Sequence, residues 1–153
     1  MGMVHAEITI KNALDVGMVH QGLIQENAIR SFTVNAVVDT GAASIVINDE
    51  QCQMLGLRVT AEKKVKTADG RWVPCWMTDP VEVHWKDRSW SCPAIVVGGA
   101  TSVLLGAIPL EGMDLIVNPK TQELIGAHGD TVELMLLFTQ LSSCTPLSPT
   151  QAL

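Results

Sequence analysis

The sequence lacks the usual motifs for binding a metal ion. Its four cysteines, Cys52, Cys75, Cys92 and Cys144, lie far apart without a C-x-x-C pair, and its four histidines form no H-E-x-x-H motif. This spacing provides no ligand set of the zinc type, and we predict neither a metal nor a cofactor. Because nothing indicates a small disulfide-rich scaffold, we expect reduced and mostly buried thiols.

Clusters of basic residues are also missing. Lys and Arg number 10 against 16 Asp and Glu, which gives a formal net charge of -6. Nucleic acids and anionic membrane surfaces are both negatively charged and are bound mainly through Lys and Arg. The composition therefore excludes both of them as expected partners.

Segments that target a protein to a membrane are not apparent. Residues 1–11 alternate between polar and apolar side chains and contain no h-region, so no signal peptide is predicted. Residues 89–110 carry no charge, but Pro93, the Gly98-Gly99 pair and Pro109 divide them into strand-sized pieces. We therefore predict no transmembrane helix and expect a cytoplasmic protein.

Short β-prone segments and frequent turn signals run along the chain, which is 47% hydrophobic. They predict an all-β fold, a small closed β-barrel with one or two short helices. One helix is predicted between a cap at Asn48 and a stop at Gly56, whereas residues 12–26 are predicted to form a loop or an irregular hairpin. The length suits one core, so residues 1–141 are predicted to form one domain and residues 142–153, rich in Ser, Thr and Pro, a flexible tail.

An acidic residue follows the apolar, β-branched stretch at residues 34–38. Asp39 is succeeded at once by Thr40, Gly41 and Ala42. Gly41 lets backbone N–H groups approach the carboxylate, and the Thr40 hydroxyl can donate and accept hydrogen bonds. This pattern predicts a buried catalytic aspartate in a tight turn; the alternative is an ordinary strand-end turn in which Gly41 has a positive φ.

Two further segments accompany the Asp-Thr-Gly-Ala stretch. Residues 65–73 form two β-prone arms about an Asp-Gly turn, and residues 103–106, Val-Leu-Leu-Gly, precede a short helical segment at 107–110. In this order and spacing the three segments resemble the signature, the flap hairpin and the hydrophobic-hydrophobic-Gly strand of retropepsin-like (retroviral-type) aspartic proteases. The resemblance covers about residues 34–126 and favours a prokaryotic-type, single-domain member.

The resemblance implies a role for each residue of the signature. Asp39 would be the catalytic acid and base, and Thr40 would interlock with its symmetry mate below the carboxylates. Gly41 would offer its N–H to the carboxylate. Ala42 and Ala43 would line the floor of the cleft, although Ala43 departs from the acidic residue common at that position.

The resemblance also implies a flap that closes over a peptide. Ala68, Asp69 and Gly70 would form its tip. Retroviral flaps are richer in glycine, and pepsin-like flaps carry a Tyr, whereas this chain has no Tyr at all. Trp72 or Trp76 would cover the substrate in its place, unless these side chains pack on the barrel.

Aspartic-protease chemistry needs two carboxylates that share a proton. The chain supplies one Asp-Thr-Gly, and Asp114, the only other acid in an apolar run, lacks the glycine turn. We expect Asp114 to lie at the start of a strand, paired or partly exposed. The second catalytic acid must then be Asp39 of another copy, so the sequence predicts a two-fold symmetric homodimer.

The leading functional interpretation is an aspartic endopeptidase that hydrolyses peptide or protein substrates as this homodimer. The alternative is a non-catalytic peptide-binding or dimerisation module with the same fold. A third class, an aspartyl-phosphate enzyme, normally needs Mg²⁺ and a neighbouring carboxylate. No D-x-D motif accompanies Asp39.

Overall fold

A computed structural model describes residues 2–134, so the predicted tail at 142–153 lies outside the described part. Nine strands and three short α-helices follow one another along these residues, with a short 3-10 turn at Glu26–Ala28. The strands are β1 (His5–Asn12), β2 (Ser31–Val38), β3 (Ile45–Ile47), β4 (Val59–Lys66), β5 (Trp72–Trp85), β6 (Arg88–Val96), β7 (Leu104–Leu105), β8 (Leu115–Asn118) and β9 (Glu123–Gly126). The helices are α1 (Ala13–His20), α2 (Asp49–Met54) and α3 (Ala107–Gly112).

Six of the strands form a closed ring in the order β1-β2-β7-β3-β6-β5, because β5 also pairs with β1. The β2–β7 and β3–β6 pairs are parallel and the other pairs of the ring are antiparallel. Ring closure leaves no free edge among these six strands. The prediction of an all-β, closed barrel is therefore confirmed.

Strand β5 is shared between the ring and an extension of it. Its residues 76–85 pair with β6 and its residues 81–84 with β1, whereas its residues 72–78 pair with β4, which lies outside the ring. The register shifts between Val59 and Ala61 on β4 and between Met77 and Pro80 on β5. The β4–β5 hairpin thus projects from the barrel above two irregularities in the strand pairing.

The core fills the interior of the ring with alternate residues of its strands. In β1, Ile8 and Ile10 are buried while their neighbours are exposed or half-buried, and Val81 and Val83 of β5 follow the same period. Burying each such aliphatic side chain contributes about 1.5–3 kcal/mol. The two-residue period of these strands therefore orients the chain around a single interior.

Helix α2 agrees with its prediction. The Asn48 side chain accepts a hydrogen bond from Gln51 N, and the Gln51 side chain accepts one from Asn48 N, which is a reciprocal capping box. Gly56, just beyond the helix, has φ +62°, which suits a glycine stop. Strands β8 and β9 pair with each other as an antiparallel hairpin outside the ring.

The prediction of a loop or irregular hairpin at residues 12–26 is wrong, because α1 occupies Ala13–His20. Asn12 caps this helix by accepting hydrogen bonds from Leu14 N and Asp15 N. Asp15, buried, accepts hydrogen bonds from the backbone N and the guanidinium of Arg30. The contact between Asp15 and Arg30 therefore stabilises a helix in residues 12–26, where two glycines weaken the local helix signal. As a result the described residues contain three α-helices, where one or two were predicted.

None of the helices in residues 2–134 has the length and apolar character needed to cross a bilayer.

Candidate active site

Asp39 follows the last residue of β2 and is held there by the neighbouring strand. Strand β7 runs parallel to β2, and Asp39 N donates to the carbonyl of Leu105 at 3.0 Å. Gly41 N donates to Asp39 Oδ1 at 2.9 Å, and Ala42 N donates to the Asp39 carbonyl at 3.1 Å. The turn thus directs a backbone donor at the carboxylate, as the sequence pattern indicated.

The segment that follows β7 supports this turn from behind. Ala107 N donates to the Ala42 carbonyl at 2.8 Å, and Ile108 N donates to the Ala43 carbonyl at 2.9 Å. A Cβ atom at Gly106 would lie 2.6 Å from the Ala42 carbonyl oxygen and nearer still to that of Ser44. The Val-Leu-Leu-Gly strand therefore contacts the Asp39 turn, and its glycine permits that contact.

Ser44 also fixes the turn, although sequence reasoning gave it no role. Its side chain is buried, and its hydroxyl donates to the Pro93 carbonyl at 2.8 Å. This bond ties the end of the turn to β6, whose pairing with β3 begins at the next residue. A buried serine directly after two alanines carries no local signal for such a contact.

The exposure of the signature residues differs from the expectation of a buried acid. In the single chain Asp39 and Ala42 are half-buried, whereas Thr40 and Gly41 are exposed. Asp39 therefore keeps partial access to solvent. The Asp39 carboxylate and the Thr40 side chain can therefore contact another molecule at the exposed side of the turn.

The flap hairpin, residues 59–77, closes with a tight turn at its tip. Gly70 has φ +83° and donates from its N to the Thr67 carbonyl at 2.9 Å. Asp69 accepts from the Thr67 hydroxyl and pairs with Arg71 at 2.6 Å. The Thr67 hydroxyl and then the Arg71 guanidinium hold the pKa of Asp69 below its usual value, so the tip carries a charged carboxylate. Ala68 beside it is exposed.

The two tryptophans of the flap hairpin lie in different environments. Trp72 is 64% exposed, and the Lys66 ammonium lies 6.0 Å from the centroid of its ring. Trp76 is half-buried and packs against the main core. Packing on the barrel therefore describes Trp76, whereas the Trp72 ring is presented to solvent near the tip.

An apolar cluster connects the flap hairpin to the Asp39 turn. Val46, Cys75 and Ile95 form its buried centre. Ala42, Val65, Met77, Val97 and Leu104 pack against them. Residues of the turn, of β7 and of both arms of the hairpin therefore pack together in one apolar cluster.

Asp114 lies at the start of β8, has φ +54° and is buried. Its Oδ2 is 2.8 Å from His128 Nδ1 and accepts from Glu133 N at 3.1 Å. The hydrogen bond with His128 lowers the pKa of Asp114, and the same bond raises the pKa of His128. The expectation of a paired acid at a strand start is confirmed, and the partners of Asp114 lie at 128–133 rather than in the Asp39 turn.

Arg88, the first residue of β6, supports the same region, and the sequence analysis gave it no role. It is buried, and its guanidinium donates to the carbonyls of Met113 and Asp114 at 2.9 and 2.8 Å and to that of Gly129. The guanidinium therefore satisfies three backbone acceptors around the start of β8. No sequence pattern distinguishes this arginine from a solvated turn residue.

The three cysteines of the described part, Cys52, Cys75 and Cys92, are buried, as predicted, and none of them is in a disulfide; Cys144 lies beyond the described part. Burial raises the pKa of each of these thiols. Residues 2–134 contain no group of three or more His, Cys, Asp or Glu side chains placed to hold a metal ion.

The chain is similar to known proteins in its sequence and in its fold. The family described as gag-polyprotein putative aspartyl protease matches residues 26–112, which is more than half of the chain. Among solved structures, the EIAV protease complexed with the inhibitor HBY-793 is similar, with 17% identity, a TM-score of 0.46, and coverage of 69% of this chain and 82% of that chain. No curated protein matches.

Proposed function

Since the chain belongs to the retroviral-type aspartyl protease family, we propose that it is an endopeptidase that acts as a homodimer, with one Asp39 from each copy. The observation that carries the proposal is the Asp39 turn. Its carboxylate accepts from Gly41 N, and its backbone is held by the segment after β7.

The need for a second copy comes from the number of acids. One carboxylate activates a water molecule as a general base while the other, protonated, polarises the peptide carbonyl. Each chain has one Asp-Thr-Gly turn, and Asp114 is occupied by His128 and Glu133 N. The exposed side of the turn at Thr40 and Gly41 supports apposition of two copies there. Two carboxylates at hydrogen-bond distance cannot both ionise easily, so they share one proton.

The flap hairpin and the apolar cluster provide the binding surface in this proposal. An extended peptide lies as an added strand between the hairpin and the Asp39 turn, and its backbone groups pair with strand edges. Closure of the tip, Ala68–Gly70, excludes water from the reacting bond. Trp72 lies directly opposite Lys66, on the face of the hairpin turned away from the apolar cluster, so the proposal gives it no contact with the substrate.

The proposed location is a reducing compartment such as the cytoplasm. The free and buried Cys52, Cys75 and Cys92 support this, because secreted proteins of this size usually oxidise their thiols in pairs.

The test is digestion of a peptide library by the full chain, with and without pepstatin, beside two variants. Asp39→Asn removes the acid and keeps its size, and Asp87→Asn, in the exposed β5–β6 turn, is the matched control. We expect cleavage by the wild type and by Asp87→Asn, none by Asp39→Asn, and a fall in activity per chain on dilution. Peptide binding without cleavage by the wild type would instead identify a non-catalytic binding module. Full activity of a dilute monomer would refute the shared site.

A further inference from the structure

The two faces of the flap hairpin differ in character. Strand pairing places Ala61, Lys63 and Val65 opposite Met77, Cys75 and Val73. Directly opposed residues point to the same side of a hairpin, so these six define its inner face. Cys75, Val65 and Met77 belong to the apolar cluster that includes Ala42, which orients the inner face toward the Asp39 turn.

Lys63 is the exception on this face. Its five neighbours there are buried or half-buried and uncharged, whereas Lys63 is exposed and cationic. Burial raises the pKa of the Cys75 thiol, and the nearby Lys63 ammonium partly offsets that rise. Strand pairing sets Lys63 directly opposite Cys75, so its side chain leaves the backbone beside the buried centre of the cluster.

The other basic side chains of the hairpin are either paired or face away. Arg58 pairs with Asp79 and Arg71 pairs with Asp69. Lys64 and Lys66 lie on the outer face, because each is one residue from an inner-face position. Within the part of the chain that the structure describes, no ion pair includes Lys63. Its charge is therefore free to meet an acidic group that enters between hairpin and turn.

Resting on the proposed function, we propose that Lys63 selects peptides that carry an acidic side chain close to an apolar residue at the bond to be cleaved. The apolar residue packs on the cluster around Ala42, and the carboxylate pairs with the Lys63 ammonium. Closure of the hairpin removes water from between the two charges and strengthens their attraction. The acidic chain, with its net charge of -6, otherwise repels such a substrate, so the preference depends on this local cation.

The test uses synthetic octapeptides with a central Leu-Leu pair and either Glu or Gln at each flanking position in turn. Binding is measured by titration calorimetry with the Asp39→Asn protein, and kcat/KM is measured with the catalytic protein. Lys63→Glu reverses the inner-face charge, and Lys64→Glu makes the same change on the outer face as the matched control. For at least one position we expect the Glu peptide to have an affinity and a kcat/KM about fivefold higher than those of the Gln peptide, which is the effect of a well-placed but partly solvated ion pair.

Lys63→Glu should abolish or invert that preference, Lys64→Glu should leave it within about twofold, and 0.5 M salt should weaken it, as screening of charges predicts. The role of Lys63 would be overturned if Glu and Gln peptides bound equally well, or if Lys63→Glu and Lys64→Glu lost the preference for Glu to the same extent. A Lys63-dependent preference for Glu peptides in binding, without any hydrolysis, would support this inference and refute the peptidase activity. Hydrolysis without a preference for Glu peptides would support the peptidase activity and refute this inference.

Discussion

Gly106 is the position where the strand β7 segment comes closest to the Asp39 turn. In Gly106→Ala the added Cβ would lie 2.6 Å from the Ala42 carbonyl oxygen and nearer to that of Ser44. Both obstacles are backbone atoms, which cannot move aside as a flexible side chain does. Overpacking of this kind costs about 2–3 kcal/mol. For a chain of this size that corresponds to a fall in the melting temperature of about 4–12 °C.

The same displacement would reach the candidate chemistry, because Ala42 N is bonded to the Asp39 carbonyl. A misplacement of about 1 Å costs on the order of 100-fold in rate. Thermal unfolding and peptide hydrolysis of the variant, at a temperature where it remains folded, measure the two effects separately. Gly17→Ala is the control, since nothing lies within 4 Å of its Cβ in α1. It should stabilise the protein by about 0.5–1 kcal/mol. A Gly106→Ala protein of wild-type stability and activity would refute the proposed contact.

Three further changes test other parts of the structure. Asp39→Asn should abolish hydrolysis while circular dichroism and sedimentation stay those of the wild type; the wild-type rate should be bell-shaped in pH, because one carboxyl of the pair must be protonated and the other ionised. Asp15→Asn weakens the bonds to Arg30 and should destabilise the protein by about 1–3 kcal/mol in urea titration, with no loss refuting the anchor of α1. His128→Gln removes the partner of Asp114. The stability that the raised pKa of His128 contributes is fully present below the ordinary pKa of 6.5 and is lost as pH rises through the raised folded value. The stability that the lowered pKa of Asp114 contributes is present above 3.8 and is lost as pH falls through the lowered folded value. The difference in melting temperature between wild type and His128→Gln should therefore be larger at pH 5 than at pH 9; a difference unchanged by pH would contradict the pairing.

Features set by adjacent residues could be predicted from the sequence. The Asp39 turn needs an acid at a strand end and a glycine two positions later, and both are neighbours in the chain. Helix α2 was found because Asn48 and Gln51 cap it within one turn. The tip at Gly70 was found because an Asp-Gly pair favours a hairpin turn.

Features set by distant contacts could not be predicted. Helix α1 depends on the ion pair between Asp15 and Arg30, and the local sequence around either residue does not identify its partner. Arg88 reaches three carbonyls up to 41 residues away, yet follows Lys-Asp as an ordinary turn residue would. The exposure of Asp39 depends on which surfaces cover the turn, and the local sequence does not contain that information.

The sharing of β5 means that the flap hairpin has no separate hinge segment. Strand β5, which pairs with β4 in the hairpin, continues directly into the wall of the barrel. Only the register shifts near Val59 and Met77 separate its hairpin part from its barrel part. Arg58 and Asp79 join the two arms at this level through two side-chain bonds, at 2.8 and 3.1 Å, and a backbone bond at 2.9 Å. In the proposed peptidase, opening of the tip would bend one continuous strand above the Arg58–Asp79 pair. The rate of substrate entry would then depend on this pair and on the strand pairing near Val59 and Met77, as well as on the Asp39 turn.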